Sequence, residues 1–78
     1  MMNEKSVNLP YTYAILDGSN CCIACRTYSY EVPLDNYIPI PSLEDDYRGC
    51  YYSYDTDLWY EDAAFTIEAT AVNEMYHG

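Results

Sequence analysis

Four cysteines are the first candidates for chemistry: Cys21, Cys22, Cys25 and Cys50. Four thiolates can close a tetrahedral zinc site, and Cys22-Ile23-Ala24-Cys25 has the two-residue spacing such sites use. There is no second pair of that spacing, only Cys50. The pair also falls in a run with strand character, where residues three apart project to opposite faces. No metal is therefore expected, and buried thiols are the default for so small a residue. Whether the four are free, paired or metal-bound stays open at this point. Asp55-Thr56-Asp57 is only a fragment of a calcium loop, which alternates oxygen ligands around a glycine bend. General acid–base work most often uses histidine, and the one histidine, His77, sits in the terminal tail, where fraying is expected. Three glycines leave little material for a phosphate-cradling loop, and no nucleophile elbow or zinc-protease pattern occurs. Glu61 and Asp62 are sequence neighbours, so their carboxylates point apart. The expectation is a protein that is not an enzyme, with no catalytic residue and no cofactor.

The charge balance says more. Thirteen Asp and Glu face three Lys and Arg, for a net charge of −10. Such a surface repels nucleic acid, whose binding needs cations against phosphates, and gains nothing from an anionic membrane. A basic protein surface, or a cation, remains as partner. Glu44-Asp45-Asp46, Asp55-Thr56-Asp57 and Glu61-Asp62 fall in loops of the second half, with Tyr47, Tyr51, Tyr52, Tyr54 and Tyr60 interleaved. Carboxylates along one rim can take the place of phosphates in a cationic groove. Eleven tyrosines accompany one Trp and one Phe. Tyrosine buries a large ring while keeping a hydroxyl for a partner, hence its enrichment at interfaces; it also packs the thin core of small β-domains. The candidate binding set is Glu44, Asp45, Asp46, Asp55, Asp57, Glu61 and Asp62 as rim, with Tyr47, Tyr52, Tyr54 and Trp59 as anchors. The plainer alternative is a hydrated loop face that serves solubility.

The elements that must position these groups read as mainly β. Seventy-eight residues make one domain, 1–78, with residues 1–8 expected to be flexible. Leu9, Tyr11, Tyr13 and Ile15 share one face at period two, a strand pattern with Pro10 at its start. Asp17-Gly18-Ser19-Asn20 is a turn, and Cys21 to Tyr30 should pair back as a hairpin. Tyr37-Ile38-Pro39-Ile40-Pro41 is extended, but its prolines restrict it to an edge. Ser42-Leu43-Glu44-Asp45 resembles a capping box that starts one helical turn, closed by Arg48-Gly49. Cys50 to Tyr54 and Leu58 to Glu61 form a second hairpin around Asp55-Thr56-Asp57. In the tail, Phe65, Ile67, Ala69 and Ala71 alternate as in a strand, whereas Ala64, Glu68, Val72 and Tyr76 share a helical face. Helix-favouring Ala, Glu and Met support a short helix from about residue 66. The fold class expected is α+β, mainly β: a small antiparallel sheet of two hairpins with a short C-terminal helix.

No stretch approaches the roughly 20 apolar residues of a membrane-spanning helix, and Met1 to Ser6 lacks the apolar run of a signal peptide. An intracellular protein with reduced thiols is the expectation.

Tyr37-Ile38-Pro39-Ile40-Pro41, Tyr47-Arg48-Gly49-Cys50-Tyr51-Tyr52 and Leu58-Trp59-Tyr60-Glu61-Asp62-Ala63-Ala64-Phe65-Thr66 together resemble small phage and prophage proteins often encoded near tail genes. Tyr11-Thr12-Tyr13-Ala14-Ile15-Leu16-Asp17 resembles their opening strand, so the likeness spans most of residues 11–66. It implies a viral origin. A small, acidic viral protein is similar in character to phage-encoded inhibitors of host defence, including anti-CRISPR proteins and DNA mimics. The resulting expectation is an inhibitor in the host cytoplasm that binds a basic, nucleic-acid-binding surface of a host nuclease or nucleoprotein complex. The alternative is a structural or assembly module of a phage tail or baseplate, located in the virion. A homodimer stays open in either case. Sequestration of a signalling nucleotide is disfavoured, since that ligand is itself anionic.

Overall fold

The computed structural model describes residues 11–78, so Leu9, Pro10 and the segment expected to be flexible lie outside the described residues. The first turn is built by Asp17, whose Oδ1 accepts the backbone N–H of Ser19 at 2.8 Å and of Cys21 at 3.1 Å. Asn20 takes the left-handed conformation, φ 68°, which asparagine tolerates well. This turn joins β1 (Tyr11–Leu16) to β2 (Cys22–Tyr28) as an antiparallel hairpin. β3 (Tyr37–Pro39) pairs antiparallel with the other side of β1, giving the order β2-β1-β3. As the prolines require, β3 is an edge strand.

β4 (Tyr51–Ser53) and β5 (Leu58–Tyr60) form the second hairpin, in a two-stranded sheet of their own. A Cys21–Tyr51 bridge links the two hairpins. It is reinforced by Cys22 N–H to Cys50 C=O and Gly49 N–H to Cys22 C=O, both 2.9 Å. The chain ends in α1 (Thr70–His77). The fold is thus mainly β with a short C-terminal helix, as the patterns indicated.

Three local features depart from the sequence reading. The pairing shifts from Ile15–Ala24 to Leu16–Cys22, so Ile23 is an extra residue, a β-bulge. The bulge brings Cys22 and Cys25 to the same buried face, where the alternation rule had set them on opposite ones. Ser42 does not cap a helical turn. The turn is a 3-10 helix at Asp45–Tyr47, preceded by Glu44 with no side-chain cap, and Gly49 at φ 86° carries the chain out of it. The helix begins at Thr70, not near 66. Asp62 holds the N–H groups of Thr66 and Ile67 on its carboxylate, and Phe65 at φ 59° cannot continue a right-handed helix.

Strand alternation splits the first hairpin into two faces. Ala14 and Leu16 face the core with Cys22, Cys25 and Ile38. Tyr13 lies on the other face against Tyr28 and Tyr37, at centroid distances of 6.1 and 5.8 Å. The core is closed from the second hairpin by Trp59, Tyr47 and Tyr52, and from the helix by Val72. Trp59 and Tyr47 are wholly buried. A ring of that size removes about 150–250 Å² from water, an upper bound of roughly 4–6 kcal/mol each. The aromatic cluster therefore holds the two hairpins and the helix together.

Candidate protein-docking face

In the second hairpin, Tyr52 and Trp59 are cross-strand partners on the core face, and Tyr51 and Tyr60 are partners on the outer face. The two outer rings are half-buried. Phe65 extends them, stacking on Tyr60 with centroids 5.3 Å apart. Tyr60 is held at its hydroxyl by Thr56 Oγ1 at 3.3 Å.

The Glu61–Glu68 loop fixes Phe65 in place. Asp62 Oδ1 accepts the Thr66 and Ile67 N–H groups, each at 2.9 Å, and its Oδ2 accepts the Thr66 hydroxyl. These bonds, the Thr66 hydroxyl foremost and the Ile67 N–H next, hold the Asp62 carboxyl below its ordinary range. Glu61 N–H bonds Ile67 C=O at 2.7 Å and closes the loop. Phe65 accepts a left-handed φ of 59°, which costs a non-glycine residue on the order of 1 kcal/mol. Ala63, Ala64 and Ile67 are exposed beside it.

Carboxylates act on the Tyr51 end of this aromatic surface. Tyr51 is pushed up chiefly by the Cys21 thiol, with burial, Asp17 and Asp62 adding. Cys50 is pushed up first by burial, then by Glu61, Cys21 and Asp46. Asp17, Asp46, Glu61 and Asp62 thus act on adjacent residues from three separate loops. Asp17 was not among the residues singled out from sequence. Among the described residues the ion pair is Arg48–Asp45 at 4.0 Å, with the Asp45 side chain 86% exposed; so solvated a pair offsets little of the field.

The remaining predicted residues are placed as follows. Glu44 and Asp45 are exposed on the turn beside β2, with Asp46 following. Asp55 and Asp57 lie at the far end of the second hairpin, with β5 between Asp57 and Glu61, about 13 Å of extended chain. The acids therefore form two groups rather than one continuous rim. Asp57 has an internal role: its Oδ1 accepts the Tyr76 hydroxyl at 2.7 Å and the Tyr52 hydroxyl, and its C=O bonds His77 Nε2 at 2.8 Å. Tyr54 is exposed, with its hydroxyl donating to Asp35 C=O at 2.9 Å. Tyr47, Tyr52 and Trp59 are corrected: their rings fill the core and cannot reach a partner. Tyr51, Tyr60 and Phe65 are the aromatic rings on the outer side of this hairpin and its following loop. The available signal was strand parity, which puts Tyr52 and Trp59 on one face and Tyr51 and Tyr60 on the other.

Among the described residues no three His, Cys, Asp or Glu side chains converge as metal ligands, and no helix is long and apolar enough to cross a membrane. An open depression of about 370 Å³ lies along the helix, lined by Glu68, Thr70, Asn73, Glu74 and His77. Compared with known protein families, curated proteins and solved structures, the chain matches none.

Proposed function

We propose that this chain is a non-catalytic inhibitor whose acidic face covers the basic, nucleic-acid-binding surface of a host defence nuclease or complex, acting in the host cytoplasm. The observation that carries this reading is the Tyr51–Tyr60–Phe65 surface with carboxylates at its Tyr51 end, Asp17 and Asp62 acting on Tyr51 and Asp46 and Glu61 on the adjoining Cys50. An apolar aromatic centre inside a charged border is the anatomy of a specific interface. Its uncompensated field steers a cationic partner and rejects nucleic acid. The test is affinity capture from host lysate at two ionic strengths, followed by competition between the chain and nucleic acid for the captured protein. Mutually exclusive binding that weakens with salt is the expected result. A captured protein that holds nucleic acid and the chain together overturns the reading.

One observation favours a second reading, a tail or baseplate module. Tyr13, Tyr28, Tyr30 and Tyr37 cluster on the outer face of the first sheet, and β1, β2 and β3 carry no carboxylate. Such a face suits burial in an assembly. A salt-insensitive homo-oligomer, or the chain in purified virions, would favour it over inhibition.

A further inference from the structure

The β2 bulge turns Cys22 and Cys25 to one face and sets their Sγ atoms 3.9 Å apart, in van der Waals contact. Cys22 is 1% exposed and Cys25 7%. Each thiol also reaches a carbonyl: Cys22 Sγ that of Ala24 at 3.4 Å, and Cys25 Sγ that of Glu44 at 3.3 Å. The second contact joins β2 to the residue directly before the acidic turn Asp45–Tyr47. The other two cysteines differ, with Cys21 and Cys50 reaching the carbonyls of Cys22 and Asp46 at 3.9 and 3.6 Å.

We propose that Cys22 and Cys25 are a modification site for a low-molecular-weight disulfide such as glutathione disulfide, which oxidises them to an intrastrand disulfide and loosens the Glu44–Tyr47 turn against β2. The Cys25 thiolate attacks one sulfur of glutathione disulfide, the S–S bond breaks, and one glutathione leaves with the proton that Cys25 gave up. Cys22, deprotonated in turn, attacks Cys25 Sγ and expels the second glutathione, which takes that proton. Two electrons pass from the protein to the reagent, which ends as two thiols. Cys25 reacts first because it is the less buried; burial raises both thiols, and at Cys25 the Cys22 thiol, Arg48 and Arg26 work against that rise while Asp45 adds to it. Bond formation brings the sulfurs from 3.9 Å to about 2.0 Å. The movement falls at a bulge, where the strand ladder is already interrupted. A disulfide has no S–H, so the Glu44 carbonyl loses that donor and the turn one of its ties to β2, while Gly49 N–H stays on Cys22 C=O.

The folded protein is equilibrated across glutathione redox ratios, quenched with acid, unfolded, alkylated and mapped by mass spectrometry. Two thiols should disappear together, at Cys22 and Cys25, and amide hydrogen exchange at Arg48, whose N–H is bonded to Asp45 C=O across the turn, should quicken about tenfold. Cys22→Ser should trap glutathione on Cys25, whereas Cys25→Ser should leave Cys22 a thiol. The wild-type map decides the matter even where a variant folds poorly. Four alkylatable thiols at the most oxidising ratio, a bond to Cys21 or Cys50, or unchanged exchange at the turn would each overturn the proposal.

Discussion

The carboxamide of Asn73 bonds both backbone groups of Trp59: Oδ1 accepts the Trp59 N–H at 2.7 Å, and Nδ2 donates to the Trp59 C=O at 3.0 Å. The side chain acts as a third strand beside β5, with Ala69 N–H on the same carbonyl at 2.9 Å. Asn73 is 8% exposed, so water cannot replace these bonds. Asn73→Ala leaves a buried N–H unpaired and should cost about 2–4 kcal/mol. Urea denaturation should show a lower midpoint with an unchanged slope.

The strands and first turn were legible because their signals are local. Asp17-Gly18-Ser19-Asn20 and the alternation through Tyr11, Tyr13 and Ile15 are read within a few residues. The Ile23 bulge carries no sequence mark, so the shared face of Cys22 and Cys25 could not be foreseen. The helix start was misplaced because Ala, Glu and Met near the end were read back to about residue 66, whereas Asp62 holds the N–H groups of Thr66 and Ile67 in the loop. Aromatic identity did not separate anchors from core. Trp59 and Tyr47 went inside, while Tyr60, the same type of residue as Tyr47, stayed half-buried outside with Phe65. The acidic turns were legible, but the internal bonds of Asp57 were not, since its partner Tyr76 lies 19 residues away.

Asp57 couples the fold to pH. The Tyr52 and then the Tyr76 hydroxyl hold its carboxyl below the ordinary range. A lowered folded-state pKa adds stability above the unfolded value, about 3.9, which is lost as pH falls through the folded value. At the other end, burial and Asp57 push Tyr52 up to about 12 and raise Tyr76 as well. That stability is complete below about pH 10 and lost as pH rises towards the folded values. Asp57→Asn should flatten the acid limb of a midpoint-versus-pH curve, and Tyr76→Phe the alkaline limb. Identical curves for wild type and variants would remove Asp57 from the stability balance.

Tyr47 has a hydroxyl that stability does not need. Its oxygen is buried without a hydrogen-bond partner among the described residues, and burial raises it to about 12. Tyr47→Phe keeps the ring against Trp59, 5.2 Å away, and removes the unsatisfied group. It should raise stability by about 1 kcal/mol and make alkaline unfolding less steep. A loss of that size instead would mean the hydroxyl has a partner in solution.

Phe65 should trade stability against binding. Phe65→Gly relieves a left-handed backbone that glycine adopts freely, which offsets much of the lost stacking on Tyr60. The thermal midpoint should move by no more than a few degrees, about 1 kcal/mol in a chain of this size. Removal of a central aromatic anchor should still weaken partner binding at least about tenfold. Equal affinity with or without the ring would place the contact elsewhere.

The charge around Tyr51 should control association more than dissociation. Asp17, Asp46, Glu61 and Asp62 belong to three loops: Asp46 and Glu61 act on Cys50, and Asp17 and Asp62 on its neighbour Tyr51. Asp62 also holds its own loop, so the clean variant is Asp46→Asn with Glu61→Gln, which removes two charges and none of the Asp62 bonds. Rim charges act mainly by steering, so the association rate should fall about three- to tenfold at low salt while the dissociation rate changes little. The difference from wild type should vanish once the Debye length drops to about 3 Å, near 1 M salt. A deficit that persists at high salt would mean these side chains make short-range contacts, and a deficit confined to dissociation would rule out steering altogether.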